Sequence, residues 1–240
     1  MVMTLARTLD PAAHALRRDE FVDAAQRLMR TKGYEQVSIQ DVLDELGTSR
    51  GAFYHYFDSK AALLDAIVER MVDEGVARYA HRVADPDSSA LDKLEGFFAD
   101  IAQYKAEHRD LILGAFESWM SDDNAAVREH FRTGLVRRLV PLLTGIVRQG
   151  VAEGVFDVRS PEGTARVLVS LLQGANENAS SLFFARQSRE IGLEEVEERL
   201  MAYPDAFERV LGAAPGTIHI TNRSTIREWF ALTTDQKGTP

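Results

Sequence analysis

No cysteine occurs among the 240 residues, which removes a disulfide scaffold, a thiolate zinc site and a thiol nucleophile together. A run of about 18 or more apolar residues, the least a membrane-crossing helix needs, is also missing. Met1 to Ala15 hold Arg7 and Asp10 but no apolar segment, so no secretory leader is expected and a cytoplasmic location is. Internal repeats, low-complexity tracts, a phosphate-cradling glycine loop and a nucleophile–base pair are all lacking, which leaves an enzymatic reading without support. Glu107-His108 and Glu129-His130 set acids beside imidazoles, yet no two histidines are spaced i, i+4, so neither a metal nor a cofactor is expected.

Positive charge is scarce as well. Lys and Arg number 28 against 37 Asp and Glu, a formal net charge of -9. The deficit is uneven: residues 1–60 hold 8 basic and 9 acidic residues, and residues 61–240 hold the remaining 20 and 28. A near-neutral front and an acidic remainder still permit a nucleic-acid partner, because contact depends on local charge rather than the total. With 45% hydrophobic and 27% charged residues, the chain can bury a sizeable core.

What is present is helical periodicity. Phe21, Ala24, Ala25, Leu28 and Met29 form one apolar stripe that Gly33 stops. Ile39, Val42, Leu43 and Leu46 repeat the pattern, with Ser38 as N-cap and Gly47 as a left-handed terminator. A short third segment, Ser49 to Phe57, sets Phe53, Tyr56 and Phe57 on one side, and a fourth opens at Asp58 or Ser59. Beyond residue 80 a turn at 85–89 precedes helices expected over about 90–106, 108–120 and 123–153, the last kinked or interrupted by Pro141. Ser160-Pro161-Glu162 opens a helix reaching about Arg186, and a last one covers about 193–212, where Pro204 is expected to kink it or start another. The fold class is therefore all-α: a three-helix head over 14–76 (motif 38–57), a helical body over 77–213 and a tail over 214–240, about nine helices in all.

The informative stretch is 38–60, two short amphipathic helices joined at Gly47, the plan of a helix-turn-helix. Leu43, Leu46, Phe53 and Phe57 account for its buried face. Thr48, Ser49, Arg50, Gly51, Ala52, Tyr54 and His55 remain outside, a set without an acid. Small Gly51 and Ala52 let a backbone approach a groove wall. Arg50 and Lys60 each lie in the first turn of a helix, where a cation opposes the macrodipole at a cost of about 0.3–1 kcal/mol when exposed. An anion in front of them reverses that cost, since helix amides and a cation then converge on one phosphate. Tyr54 and Tyr56 can reach a phosphate through their hydroxyls.

These residues resemble the TetR family of transcriptional regulators. The resemblance rests on Gly33-Tyr34, Val37-Ser38-Ile39, Gly47, the run Gly51-Ala52-Phe53-Tyr54-His55-Tyr56-Phe57, Ser59-Lys60 and Leu63-Leu64, and is dense over 17–70. Further on, Glu153-Gly154-Val155-Phe156 and Glu162 to Ala165 look like the approach to the family's long interface helix. The resemblance implies that Ser38 caps the first motif helix while touching a phosphate and that Gln40 approaches the backbone or a base edge. It makes Arg50 the candidate for bidentate contact to guanine, puts Tyr54, His55 and Tyr56 on phosphates or bases, and makes Lys60 a phosphate grip.

For the body, the resemblance implies a four-helix dimer interface built by the last two long helices, and a pseudo-palindromic operator to match. Val167, Leu171, Gly174 and Ala175 on one helix and Phe207, Val210 and Leu211 on the next are the interface candidates. Bulky side chains, Phe98, Tyr104, Phe116, Trp119, Met120 and Phe131, with polar Gln173, Asn176 and Glu177, are the candidates for holding a small effector. Core packing is the simpler reading of each aromatic taken singly. The function expected is a homodimeric repressor released from double-stranded DNA by a small molecule. The alternative is a helical small-molecule-binding protein whose DNA-binding head is not used.

Overall fold

The computed structural model describes residues 10–33, 36–109, 111–113 and 124–232. Among these, nine helices and no strand are found: α1 (Pro11–Lys32), α2 (Ile39–Leu46), α3 (Arg50–Tyr54), α4 (Lys60–Val83), α5 (Ala90–Glu107), α6 (Ala125–Ala152), α7 (Pro161–Gln187), α8 (Leu193–Leu211) and α9 (Arg223–Phe230). The all-α class is as expected; most of the helix expected over 108–120 lies outside the described residues. The chain divides into two compact units, one of residues up to Asp73 with Lys105–Phe131, the other of Glu74–Tyr104 with the chain from Arg132 onward.

The first unit forms around α1. Asp10 caps that helix, its carboxylate accepting from the Ala12 amide at 3.0 Å, and Pro11 fills the first position, where its missing N–H costs nothing. Gly33 ends it, donating its amide to the Met29 carbonyl at 3.0 Å. The apolar stripe of α1 buries Phe21, Val22, Ala24, Ala25 and Met29 against Val42, Leu43, Phe53, Phe57, Leu63, Leu64 and Ile67. Leu111 and Val127 join this core from much later in the chain. Each fully buried leucine or phenylalanine contributes about 1.5–3 kcal/mol relative to exposure, so the core as a whole holds the short helices in place.

In the second unit, α5, α6, α7 and α8 share a core with Tyr79 of α4, and four rings run through it in a chain. Tyr79 meets Phe97 at 4.8 Å, Phe97 meets Phe98 at 5.2 Å, and Phe98 meets Phe207 at 5.1 Å, all edge-to-face. Of the two outcomes expected at Pro141, interruption does not occur: α6 runs on through it. It lies on the exposed face of the helix, where a freed carbonyl can turn to water, while Leu139, Val140, Leu143, Ile146 and Val147 around it are buried and hold both halves down. Pro204 likewise lies within an unbroken α8. The Glu153–Phe156 turn folds back on α6 because residue 150 is glycine. The amides of Val155 and Phe156 bond the Gly150 carbonyl at 2.9 and 3.1 Å, and a Cβ there would stand 2.0 Å from the Phe156 ring.

Residues 213–232 fold onto the second unit. Ile226 and Phe230 of α9 pack with Leu182 of α7 and Val196 of α8. Three carboxylates pin this arm. Glu208 accepts from the Ile218 amide at 3.1 Å, Glu95 accepts from the His219 amide at 3.0 Å, and buried Glu197 accepts from Arg227 at 2.5 Å and Arg223 at 3.3 Å. The Ile218 amide, then burial opposing it, set the balance that holds the Glu208 carboxyl below its ordinary range, and the Arg227 guanidinium does the same for Glu197.

Two outcomes are expected. Phe207→Ala empties a site that is 2% exposed and should cost about 3–5 kcal/mol in urea unfolding, whereas a loss under about 1 kcal/mol would contradict its place in the core. Because Glu208 and Glu197 titrate lower in the folded chain, their contribution is full above the ordinary carboxylate range and is lost as pH falls through the folded values. Fluorescence of Trp229, read in a Trp119→Phe background, should report an acid-induced release of the arm. With Glu197→Gln the arm should already be loosened at neutral pH, and an unchanged acid profile in that variant would refute the pinning role.

Candidate nucleic-acid interface

Everything at this site depends on how three short segments are placed. Ser38 opens α2 with a reciprocal cap: its hydroxyl accepts from the Asp41 amide at 3.1 Å, while the Asp41 carboxylate accepts from the Ser38 amide at 2.8 Å and its hydroxyl at 2.6 Å. The Ser38 hydroxyl, and after it the Lys32 ammonium at 2.9 Å, hold the Asp41 carboxyl far below the usual carboxylate range. Gly47 closes α2 in the left-handed region with φ 58°, and the next amide, Thr48, bonds back to the Leu43 carbonyl at 3.0 Å. Ser49 then caps α3, accepting from the Ala52 amide at 3.3 Å.

The third helix is shorter than the expected 49–57. It ends at Tyr54, and Tyr56 and Phe57 follow as a turn whose amides both bond the Phe53 carbonyl, at 2.8 and 3.0 Å. Five residues cannot sustain a helix alone. Phe53 holds it, fully buried, with its ring 5.7 Å from Phe21 and 5.7 Å from Phe57. The ion pairs Arg27–Glu45 at 2.7 Å and Lys32–Asp41 at 2.9 Å tie α1 to α2.

Charge at the helix starts differs between this unit and α5, α7 and α8 of the other, although α9 there also begins with a cation, Arg223. Helices α1, α3 and α4 carry no acid in their first turn, and the one on α2, Asp41, is spent on its cap and on Lys32. In the second unit α5, α7 and α8 begin with Asp92, Glu162 and Glu194-Glu195, as the dipole favours. Arg50, the first residue of α3, is exposed and makes no ion pair or hydrogen bond among the described residues. Tyr54, one turn on, is 49% exposed. A bare guanidinium at the positive end of a helix dipole is unfavourable on an isolated surface and favourable against a polyanion.

The structure gathers the remaining candidates of this site within one unit. Ser49, Gly51 and His55 are exposed, Thr48, Ala52 and Tyr56 are half-buried, and Lys60 opens α4, half-buried, after the Ser59 hydroxyl that accepts from the Ala62 amide at 3.0 Å. Gln40 is exposed but donates to Asp44 at 2.7 Å, spending one of its two amide protons on its own helix. Sequence reading overlooked His14, whose ring lies 4.6 Å from Tyr56 and 5.5 Å from His55. Its position seven residues before Phe21, on the same helix face, was the signal available.

The effector candidates are divided among the two units and residues outside the described ones. Phe116, Trp119 and Met120 lie outside the described residues, and Phe131 belongs to the first unit. In the second unit Phe98 is packed between Phe97 and Phe207, and Tyr104 donates to Glu74 at 3.3 Å, its hydroxyl made a weaker acid by burial and by that carboxylate. Gln173 is buried and donates to the Arg132 carbonyl at 2.8 Å; Asn176 is half-buried; Glu177 is exposed, 3.9 Å from Arg132. Among the interface candidates Val167 is 46% exposed and Leu171, Gly174, Ala175 and Val210 are half-buried. Phe207 and Leu211 need correction: at 2% and 0% exposed, they fasten α8 to its own core and have no surface for a partner. Among the described residues no cluster of three His, Asp or Glu could hold a metal ion, and no helix is long and apolar enough to cross a membrane.

A short capped helix that bears an unpaired arginine, set after a glycine turn on a buried aromatic base, defines a helix-turn-helix DNA-binding head. Comparison with known proteins agrees. Residues 21–67 match the family described as "Bacterial regulatory proteins, tetR family". An uncharacterized HTH-type transcriptional regulator from the lacX 3' region of Lactococcus lactis subsp. lactis is 33% identical over 162 residues, 66% of this chain and 80% of the relative. The HTH-type transcriptional repressor KstR2 of Rhodococcus jostii (strain RHA1) is 26% identical over 157 residues, 61% of this chain and 71% of that protein. In fold, the crystal structure of RolR in complex with resorcinol covers 92% of this chain and 96% of its own with a TM-score of 0.60 at 18% identity. The chain belongs to the TetR family and is a DNA-binding transcriptional regulator, not an enzyme.

Loss of the cap should be measurable on its own. Ser38→Ala is expected to lower stability by about 0.5–2 kcal/mol in thermal or urea unfolding. No change at all would mean that the bonds between Ser38 and Asp41 do not hold α2 in solution.

Proposed function

We propose that this regulator is a cytoplasmic homodimeric repressor that binds a pseudo-palindromic operator and leaves it when a small-molecule effector binds the helical body. The observation that carries the DNA side of this reading is Arg50, exposed and without a partner among the described residues at the start of α3. In a two-fold dimer, two copies of α3 enter successive major grooves about 34–36 Å apart. Arg50 reads guanine, Thr48, Ala52 and Tyr54 complete the base-facing side, and Ser38, Gln40, Ser49, Gly51, His55, Tyr56 and Lys60 hold phosphates.

Val167, Leu171 and Gly174, spaced i, i+4, i+7 on α7, with Ala175 and with Val210 on α8, form the surface offered to the second copy. A repressor is the direction taken from KstR2, and a small-molecule effector follows RolR, which was solved with resorcinol. The effector acts by binding one dimer geometry better than the other, which is the only way binding can change operator affinity. Of the residues proposed to hold it, Phe98, Tyr104, Phe131, Gln173, Asn176 and Glu177 are described, and Phe116, Trp119 and Met120 complete the set.

The test is binding to sequences selected from a random duplex library, followed by titration of the best one at several salt concentrations. Wild-type protein should select a two-fold site, with affinity falling steeply as salt rises. Arg50→Ala should weaken binding by about 5- to 150-fold and relax the preference at one base pair of each half-site. Selection of no sequence, or equal affinity for Arg50→Ala, would favour a ligand-binding protein whose head is idle.

A further inference from the structure

His14 lies outside the helix-turn-helix, yet α1 brings it to the edge of the proposed interface. Its ring packs 4.6 Å from Tyr56 and 5.5 Å from His55, the latter nearly edge-on at 70°. The company it keeps is unusual for this molecule. His130 and His219 each face a carboxylate, Asp65 at 3.2 Å and Glu95 at 2.8 Å. His14 and His55 face each other, and neither has an ion pair or hydrogen bond among the described residues. Of the acids near in sequence, Asp10 accepts from the Ala12 amide and Glu20 pairs with Arg17, while Asp19 and Asp58 are exposed. Arg17 and Arg18 lie over the rings of Phe21 and Phe57 at 5.5 and 5.2 Å. Tyr56 lies beside both rings, 4.6 Å from His14 and 5.1 Å from His55, and Arg50, Tyr54 and Asp58 are the charged or titratable residues near His55 in sequence.

Two neutral imidazoles in edge contact are compatible with each other; two protonated ones repel unless an anion lies between them. Each protonated ring offers two N–H donors and a charge, and a phosphodiester supplies the acceptors. On the reading of this unit as a DNA-binding head, we propose that His14 is a further DNA contact, and that its imidazole and that of His55 jointly clasp one backbone phosphate in their protonated forms. Binding then takes up protons. Histidine as a class changes charge between pH 5 and 8, so the grip tightens as pH falls through that range. By linkage, each proton taken up steepens the rise in affinity by as much as tenfold per pH unit.

The test is the affinity of the selected operator duplex at pH 6, 7 and 8 and fixed ionic strength, for wild type, His14→Gln, His55→Gln and the double variant. Glutamine keeps a donor but cannot charge. Wild-type affinity should rise about tenfold or more from pH 8 to pH 6, the single variants should lose part of that rise, and the double variant should be flat within about twofold. His14→Arg should restore tight binding at pH 8 with a shallower pH dependence. At pH 6 the salt slope of the double variant should also be smaller than wild type by about one to two counterions. Circular dichroism at both pH extremes checks that each variant is folded. A His14→Gln pH profile identical to wild type would overturn the clasp while leaving the DNA reading intact. Absence of salt-dependent binding by wild type at every pH would overturn the DNA reading itself.

Discussion

The edge-to-face contact of Phe53 with Phe21 is the constraint on which the head depends. A helix of five residues carries too few hydrogen bonds to offset the entropy of ordering it, so α3 exists only where something else fixes it. Phe53 and Phe57 are sunk into the stripe of α1, and the polar side of α3 is thereby turned outward as a consequence of packing. Arg50 gains its exposure from the same act: the side of the helix that holds Phe53 has no room for it, and the side that remains has no acid. The caps at Ser38 and Ser49 and the left-handed Gly47 then set the angle between two helices that are each too short to set it themselves.

Charge distribution follows a second rule that separates the two units. In the second unit, α5, α7 and α8 begin with acids that stabilise their own dipoles, whereas α9 begins with Arg223, which pairs with Glu197, and carboxylates tie down the arm after Gly212. In the first unit, several cations are used for stability: Arg17, Arg27, Lys32 and Arg70 pair with Glu20, Glu45, Asp41 and Asp23. Arg50 is left out of that bookkeeping. A protein with a net charge of -9 can thus present an exposed guanidinium at the start of α3 without being basic overall.

Much of the fold was legible because helix signals are local. Gly33, Ser38, Gly47 and Ser160-Pro161 act within one turn of where they stand, and each marked a helix boundary later found there. The readings that failed were those that needed knowledge of neighbours. Interruption was one of two outcomes expected at Pro141, and exposure of that face, where the freed carbonyl meets water, lets the helix run on. Phe207 and Leu211 have the spacing of an interface stripe, but periodicity reports that a face is apolar without saying what covers it. The arm from Gly212 to α9 had no clear period, because its attachment rests on single carboxylates and three scattered buried side chains, Ile218, Ile226 and Phe230, rather than on a repeating stripe.

The amino-acid sequence by itself determined the helical class, the helix-turn-helix and the residues that could meet DNA, since caps, glycine turns and i, i+4 stripes are encoded within a few residues. Only the tertiary structure decided which of two apolar faces turns inward, that α9 folds back onto α7 and α8, and that His14 comes to rest beside His55. Those outcomes are competitions between distant parts of the chain for the same buried surface, and burial is a property of the packed whole.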